Sequence, residues 1–245
     1  MFWLTSDTVK QLYGETYKAW NLFGPVHLFW LILSLILVFI SFKYYPKLNK
    51  EKKRKILIIL TILLIIDELF KDIPSLITHQ FVFENLPFHL CSVNIFICLL
   101  NTIKENKCTK LILTTLCIPA ALCALVMPTW TRLPILNFMH IHSETIHIML
   151  LLYPVLLLAD GYRPSFKDFK IIVAYIISLA IIDKIINYFL GTNFLFLTHN
   201  ENNPALMLLE NLTGPFYNLG IVIFILLMSI VMIYLLNINK RKNYD

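Results

Sequence analysis

The chain is poor in charged residues, and its cysteines are not arranged in pairs. Only 15% of its 245 residues are charged, whereas 58% are hydrophobic. A soluble domain averages about 25% charged and about 45–50% apolar residues. This imbalance argues against a soluble domain and predicts an integral membrane protein. The five cysteines include no CxxC pair, so we expect neither a disulfide framework nor a zinc site. The first 20 residues contain no apolar core of the kind found in a signal peptide.

Seven apolar stretches are each about long enough to cross the hydrocarbon core, which takes about 20 residues. We therefore expect an all-α polytopic bundle of seven transmembrane helices over residues 24–236. Residues 1–23, which include Trp3, are predicted to form an interfacial segment, and residues 237–245 a basic cytoplasmic tail. The segment 191–215 is too apolar for a free linker and is expected to pack over one mouth of the bundle. The seven stretches lie at 24–44, 56–77, 86–103, 110–127, 139–160, 171–190 and 216–236.

Lysine and arginine are distributed unevenly over the connecting segments. Sixteen of them lie in the segment 43–55, in the loops after the third and fifth stretches and in the C-terminal tail. The intervening segments carry only three, which are Lys10, Lys18 and Arg132. Because cytoplasmic loops are enriched in positive residues, we predict an external N-terminus, a cytoplasmic C-terminus and a location in the plasma membrane. The net charge of +6 then faces anionic lipid, and no nucleic-acid partner is expected.

Ionisable residues within the predicted helices share one depth, in the outer half of the bundle. Such groups are costly in a membrane and usually face a bundle interior or a wet cavity, so we expect a polar pocket near the external face. The alternative is a structural network in which Asp67 pairs with Lys71 one turn later, joined by Asp183 and Lys184. His79 and His199 are expected to contact lipid headgroups.

The fifth predicted helix carries the clearest candidate for catalysis. At about 100° per residue, His140, Glu144 and His147 lie on one stripe, and His142 points away from it. The Glu144-x-x-His147 spacing is that of a di-iron ligand pair, but no second copy occurs. A mononuclear metal site on the stripe is an alternative. We favour His147 as a general base oriented by Glu144, with no metal or other cofactor.

Cys91, near the start of the third predicted helix, is the candidate nucleophile. A nucleophilic thiolate needs a nearby base, and the histidines of the fifth helix are predicted to lie at the same depth. The alternative is a small residue of the apolar core, the more common role of a cysteine in such a helix.

Several short segments, in consistent order along the chain, resemble the bacterial YwaF family, the prokaryotic branch of the group that includes transmembrane protein 164. The resemblance implies an intramembrane lipid acyltransferase that uses a cysteine and a histidine, and it carries over His89 and His147. The family motif Cys-His-Leu places its cysteine on Phe88 of this chain, so Cys91, one turn deeper, is the replacement candidate. The segments are FGPVHL from Phe23, LPFHLCS from Leu86, Met127-Pro128 with Arg132, His140 to His147, NFLF from Asn193 and GPFY from Gly214.

The favoured hypothesis is a lipid-modifying enzyme, an acyltransferase or hydrolase, that acts on a membrane phospholipid or acyl-lipid. His147 is the expected base, and His89 is expected to assist at the developing oxyanion. A small-solute transporter, or a lipid- or ligand-binding protein without catalysis, is the alternative. A retinal protein is disfavoured because the last apolar stretch contains no lysine. The expected substrate-binding residues are His27, Arg132, His140, Asp183, Lys184 and Tyr217.

Overall fold

The computed structural model of the protein describes residues 2, 6–14, 16–77, 81–128, 130–201 and 203–241. These residues form ten α-helices and no β-strand, which confirms the predicted all-α class. Trp3 and His79 lie outside the described residues. The helices are α1 Ser6–Tyr13, α2 Pro25–Tyr44, α3 Lys50–Ile77, α4 Leu90–Ile103, α5 Lys107–Ile112, α6 Ile118–Val126, α7 Phe138–Ala159, α8 Phe169–Leu190, α9 Pro204–Thr213 and α10 Tyr217–Arg241.

Each of the seven predicted apolar stretches coincides with helix in the structure, but not all of these helices are both long and apolar enough to cross a membrane. Five helical segments of the described chain are long and apolar enough to cross a membrane. Helices α3 and α8 are absent from that set, so the count of seven and the orientation of the termini stay predictions. The five segments are Pro25–Lys47, Phe83–Ile103, Lys107–Val126, Phe138–Ala159 and Ala205–Ile238.

Helices α5 and α6 form one continuous rod through a π-helical turn, Leu113–Cys117. All five residues of this turn are buried. Pro119 follows two residues after this turn, and because proline lacks an N–H it cannot donate the backbone hydrogen bond that a continuous helix would make there. A π-helical turn inside an α-helix is uncommon and often occurs beside a functional site.

Helix α7 lies at the centre of the bundle and packs against α2, α3, α4 and α6. Most of its residues are buried, as expected for a helix that is largely apolar around its whole circumference. Its position explains why polar side chains on different sides of α7 meet different neighbouring helices.

The two ends of the bundle differ in chemistry. At the end where α3 begins and α7 finishes, Lys53 Nζ lies 2.6 Å from Asp160 Oδ1. We call this the basic end because the cluster 43–55 lies there. At the opposite, histidine end, α7 begins and Thr145 contacts Asp67 of α3. Lys71, late in α3, donates to the carbonyl of Asn85, just before α4, at 3.0 Å. Helices α4 and α7 therefore both begin at the histidine end, and α3 runs against them.

The segment after α8 packs onto the histidine end, as predicted for 191–215. Phe194, Leu195 and Leu197 are buried. Asn187 fixes their backbone: its Oδ1 accepts from Phe194 N–H at 2.8 Å, and its Nδ2 donates to Phe194 O at 3.0 Å. Gly191 ends α8 with a φ of +69°, a conformation that costs glycine little.

Candidate functional site

His147 is held in one tautomer by the backbone of its own helix. Its Nδ1 lies 2.6 Å from the carbonyl oxygen of Ser143, and a carbonyl can only accept. Nδ1 therefore carries the proton, and Nε2 presents a lone pair. Nε2 has no hydrogen-bond partner in the described part of the chain, and the side chain is half-buried among buried neighbours. This is the arrangement that a general base requires.

Glu144 is buried one turn before His147, but the structure shows no hydrogen bond between them. Only 2% of Glu144 is exposed, and Oε2 has no partner among the described residues. The expected orientation of His147 by Glu144 is thus supplied instead by the Ser143 carbonyl. Glu144 remains available to a hydrogen-bond donor within the bundle.

His140 is occupied by aromatic neighbours and is unsuited to bind a metal. Trp30 Nε1–H donates to His140 Nε2 at 3.2 Å, so the remaining proton lies on Nδ1. Trp20 meets the ring edge-on, with a centroid distance of 4.8 Å. Because the lone pair of His140 is used, it cannot complete a metal site with Glu144 and His147. No group of three or more His, Cys, Asp or Glu residues suited to a metal occurs in the part of the chain that the structure describes.

His27 joins α2 to α6. Its Nδ1 accepts from Phe23 N–H at 2.9 Å, which places the proton on Nε2, and Nε2 donates to Leu125 O at 2.8 Å. The side chain is fully buried. Both ring nitrogens are engaged by backbone groups, so His27 positions the histidine end and has no free nitrogen for a substrate.

A charged cluster connects α3 to α7 at the histidine end. Lys71 Nζ lies 2.7 Å from Glu68 Oε1 and 3.5 Å from Asp72 Oδ1. The predicted pairing of Lys71 with Asp67 is wrong, because Asp67 Oδ2 instead accepts from Thr145 Oγ1 at 2.8 Å. Its other oxygen, Oδ1, lies 3.3 Å from Nδ1 of His142.

His142 points away from the stripe, as predicted, and its ring lies between two carboxylates. Besides the contact with Asp67, its Nε2 lies 3.9 Å from Glu68 Oε2. The sequence analysis gave His142 no role, and the position of α3 relative to α7 was needed to find one.

His89 and Cys91 occupy the start of α4, on the side of the bundle that carries this cluster. His89 is the N-cap residue of α4, and its ring packs edge-on against Phe194 with a centroid distance of 5.1 Å. Phe88 packs against Phe194 as well, at 5.4 Å between centroids. The segment after α8 therefore holds both Phe88 and His89 through Phe194.

The remaining predicted site residues of α8 and α10 form no hydrogen bond or ion pair with this group among the described residues. Asp183 is fully buried in α8, and neither of its oxygens has a partner among the described residues. It does not pair with Lys184. The Nζ of Lys184 instead donates to Leu197 O at 3.3 Å. In the orientation of the Asn218 amide that satisfies its hydrogen bonds, Lys184 Nζ also donates to Asn218 Oδ1 at 2.8 Å. Tyr217 is buried, and its hydroxyl has no described partner. The structural network predicted for Asp183 and Lys184 with Asp67 and Lys71 does not form.

Arg132 lies beside the N-terminal segment. Its neighbour Thr131 accepts hydrogen bonds from Ala19 N–H at 2.9 Å and from Trp20 N–H at 3.4 Å. Arg132 is half-buried and forms no ion pair within the described chain. Sequence reasoning missed Trp20 and Trp30, although Trp30, three residues after His27, shares a helix face with it.

The comparison with known families agrees with this architecture. The model of the TMEM164 family matches residues 22–236. The chain belongs to the TMEM164 family. No curated protein and no solved structure matches it. The matched range takes in α2 to α10 almost completely, together with His147, His89 and Cys91, and membership makes the chain a multi-pass membrane protein.

Proposed function

We propose that this protein is a membrane-embedded lipid-modifying enzyme of the acyltransferase or hydrolase type, with His147 as the general base. The observation that carries the proposal is the hydrogen bond from His147 Nδ1 to the Ser143 carbonyl at 2.6 Å. It leaves the lone pair of Nε2 without a hydrogen-bond partner among the described residues. A general base contributes about 10²–10⁴-fold to a reaction rate.

The proposed topology places this site in the outer half of the plasma membrane. Seven spans with an external N-terminus put sixteen Lys and Arg residues in the cytoplasm and three outside. The contacts support a crossing by α3, because Lys53 meets Asp160 at the basic end and Lys71 meets the Asn85 carbonyl at the other. The helix therefore extends from one end of the bundle to the other.

The proposed chemistry uses Cys91 as the nucleophile. Nε2 of His147 takes the thiol proton, Sγ attacks the carbonyl carbon of an ester lipid, and the ester C–O bond breaks. The leaving alkoxide receives that proton from His147, and the acyl group remains on Cys91 as a thioester. A hydroxyl or water then gives its proton to His147 and attacks the thioester, which restores the thiol. His89 assists at the oxyanion.

The test compares two substitutions of His147 in cells that express the full chain. His147→Asn keeps an N–H near the position of Nδ1 but has no basic nitrogen, and His147→Ala removes both. If His147 has only a structural role, His147→Asn should retain more activity than His147→Ala. If His147 is the base, both variants should lose activity. The control is His199→Asn, in an exposed loop where His199 Nε2 lies 2.7 Å from Glu201.

Membrane lipid species are then quantified by mass spectrometry. We expect expression of the wild type and of His199→Asn to change the same lipid species, and both His147 variants to leave them unchanged. If the His147→Asn profile matched that of the wild type, the base role would be refuted. Hydroxylamine-sensitive labelling with an alkyne fatty acid tests the nucleophile: loss is expected in Cys91→Ala but not in Cys98→Ala, which alters a buried cysteine of the same helix.

Asp183 favours a second candidate function, binding or transport of a solute without catalysis. A buried carboxylate without a partner is costly, and a cationic solute would compensate it. Proteoliposome uptake of cationic amino acids, compared between the wild type, Asp183→Asn and the exposed-loop variant Glu84→Gln, tests this function. Uptake that Asp183→Asn alone abolishes would favour it over the enzyme.

A further inference from the structure

A cavity of about 240 Å³ lies at the basic end, far from His147. It is much larger than the space of one water molecule, about 30 Å³ in the liquid. It lies between the start of α3 and the end of α4. Its lining residues are Arg54, Leu57, Asn101, Thr102, Ile103 and Glu105.

The floor of this cavity is a fully connected set of hydrogen bonds. Thr102 Oγ1 lies 2.7 Å from Tyr153 Oη and 2.8 Å from Thr61 Oγ1. Asn101 Nδ2 donates to Tyr153 Oη at 3.1 Å, and Asn101 Oδ1 accepts from Thr109 Oγ1 at 2.7 Å. A network in which each polar group has a partner holds its side chains rigidly. The cavity floor is therefore preorganised.

Arg54 is the cation that lines the cavity, and it forms no ion pair with any described residue. Several lysines of the same end are paired: Lys53 with Asp160 at 2.6 Å and Lys107 with Asp168 at 2.8 Å. The acid in the lining, Glu105, is paired with Lys110 at 2.6 Å. The charge of Glu105 is thus compensated, whereas that of Arg54 is available. A guanidinium is well suited to bind phosphate in a bidentate manner.

An exposed apolar stripe on α4 leads away from the cavity toward the middle of the bundle. It consists of Phe96, Leu100 and Ile103, spaced as one face of a helix, and their exposed fractions are 49%, 52% and 68%. The stripe is about 10 Å long at 1.5 Å per residue. An acyl chain that lies on this stripe would have its headgroup at the cavity mouth.

We propose that this cavity binds the phosphate headgroup of an anionic phospholipid in the leaflet at the basic end, with an acyl chain along Phe96, Leu100 and Ile103. Arg54 contacts the phosphate, and the hydrogen-bonded floor, in which Thr102 is held by Tyr153 and Thr61, fixes the shape of the site. The surrounding basic segment attracts anionic lipid to this end. The site does not depend on the proposed enzymatic function, because it lies at the opposite end from His147.

The test measures lipid retention by the full chain in detergent micelles by native mass spectrometry, with phosphatidylglycerol and phosphatidylcholine as probes. We expect selective retention of phosphatidylglycerol and a loss of about tenfold or more in Arg54→Gln, since a charge-assisted hydrogen bond is removed. The matched control is Lys52→Gln, which loses the same charge at an exposed residue outside the cavity lining. It should stay within about twofold of the wild type.

Three outcomes would overturn the proposal. An equal loss in both variants would indicate diffuse attraction to the basic segment, and no loss in Arg54→Gln would show that Arg54 binds no headgroup. The third outcome is that millimolar inorganic phosphate displaces the lipid and that Leu100→Ser, which alters the apolar stripe, does not change lipid retention. This result would indicate a site for free phosphate. Thermal unfolding of each variant verifies that it is folded.

Discussion

Tyr153 connects α7 to α4 through one hydroxyl, and its removal gives a quantitative test of the buried network. The hydroxyl donates to Cys98 O at 3.1 Å, accepts from Asn101 Nδ2 at 3.1 Å and lies 2.7 Å from Thr102 Oγ1. Tyr153→Phe keeps the ring in its fully buried position and removes these three hydrogen bonds. Hydrogen bonds between membrane helices average about 0.6 kcal/mol, which gives a loss of about 2 kcal/mol in the free energy of unfolding.

The assay is unfolding in mixed micelles with increasing SDS, monitored by tryptophan fluorescence. The control is Tyr188→Phe, because Tyr188 is 83% exposed and its hydroxyl forms no hydrogen bond with the described residues. A change within about 0.5 kcal/mol is expected for that control. The double variant of Tyr153→Phe with Thr102→Val should show a coupling energy of about 0.5 kcal/mol or more. Equal stability of Tyr153→Phe and Tyr188→Phe would refute the network argument.

Three further substitutions test particular contacts. Lys71→Met should destabilise the chain by about 3–5 kcal/mol, because it leaves the charge of buried Glu68 uncompensated. The double variant with Glu68→Gln should recover much of the thermal stability, because that charge is then removed. Gly220→Ala should lower the free energy of unfolding by about 1–3 kcal/mol, because a Cβ there would lie 2.7 Å from Thr213 Cγ2. Thr213→Ser removes that methyl group, so adding it to Gly220→Ala should restore the melting temperature in a thermal-shift assay. His27→Ala should speed amide hydrogen exchange in the segment before α2, because both backbone contacts of the ring are lost; unchanged exchange would contradict the bridging role.

Helix positions could be predicted from the sequence because their signals are local. Pro25 at the start of α2 and Gly191 after α8 mark helix ends directly. The stretch predicted at 171–190 is observed as Phe169–Leu190. The stretch predicted at 110–127 is helical over Lys107–Val126, but its π-helical turn has no clear local sequence signal.

The partners of polar side chains could not be predicted, because helical spacing offers several at once. Lys71 is near both Asp67 and Glu68 on the surface of α3, four and three residues away. The choice is made by α7, where Thr145 and His142 engage Asp67. Tertiary packing, which the sequence does not show, therefore decides which acid Lys71 meets.

The same competition acts on His147. Its spacing from Glu144 places both on one stripe, and this spacing suggested a carboxylate–histidine pair. A helical histidine can also reach the carbonyl of the residue four positions earlier, here Ser143. The role predicted for His147 is compatible with either partner, because each would leave Nε2 unprotonated.

The native Cys108 allows the number of membrane spans to be tested. Cys108 is exposed near the start of α5, at the basic end, and Leu136 is 72% exposed in the turn before α7. Seven spans with an external N-terminus place Cys108 in the cytoplasm and residue 136 outside. If α3 and α8 do not cross, five spans with an external N-terminus place Cys108 outside and residue 136 in the cytoplasm.

A membrane-impermeant maleimide applied to intact cells distinguishes the two topologies. We expect no Cys108-dependent labelling of the wild type and strong labelling of a Leu136→Cys, Cys108→Ala variant. Inverted vesicles should give the opposite result, and Cys108→Ala alone supplies the background. Five spans with the N-terminus in the cytoplasm would give the same maleimide pattern as seven spans, but would place the C-terminus outside. A fluorescent protein that folds only in the cytoplasm, fused to the C-terminus, distinguishes these two topologies: it should fluoresce only with seven spans. Labelling of Cys108 from outside would show that the charges within α3 and α8 keep these helices from crossing, and would move the histidine end out of the outer leaflet.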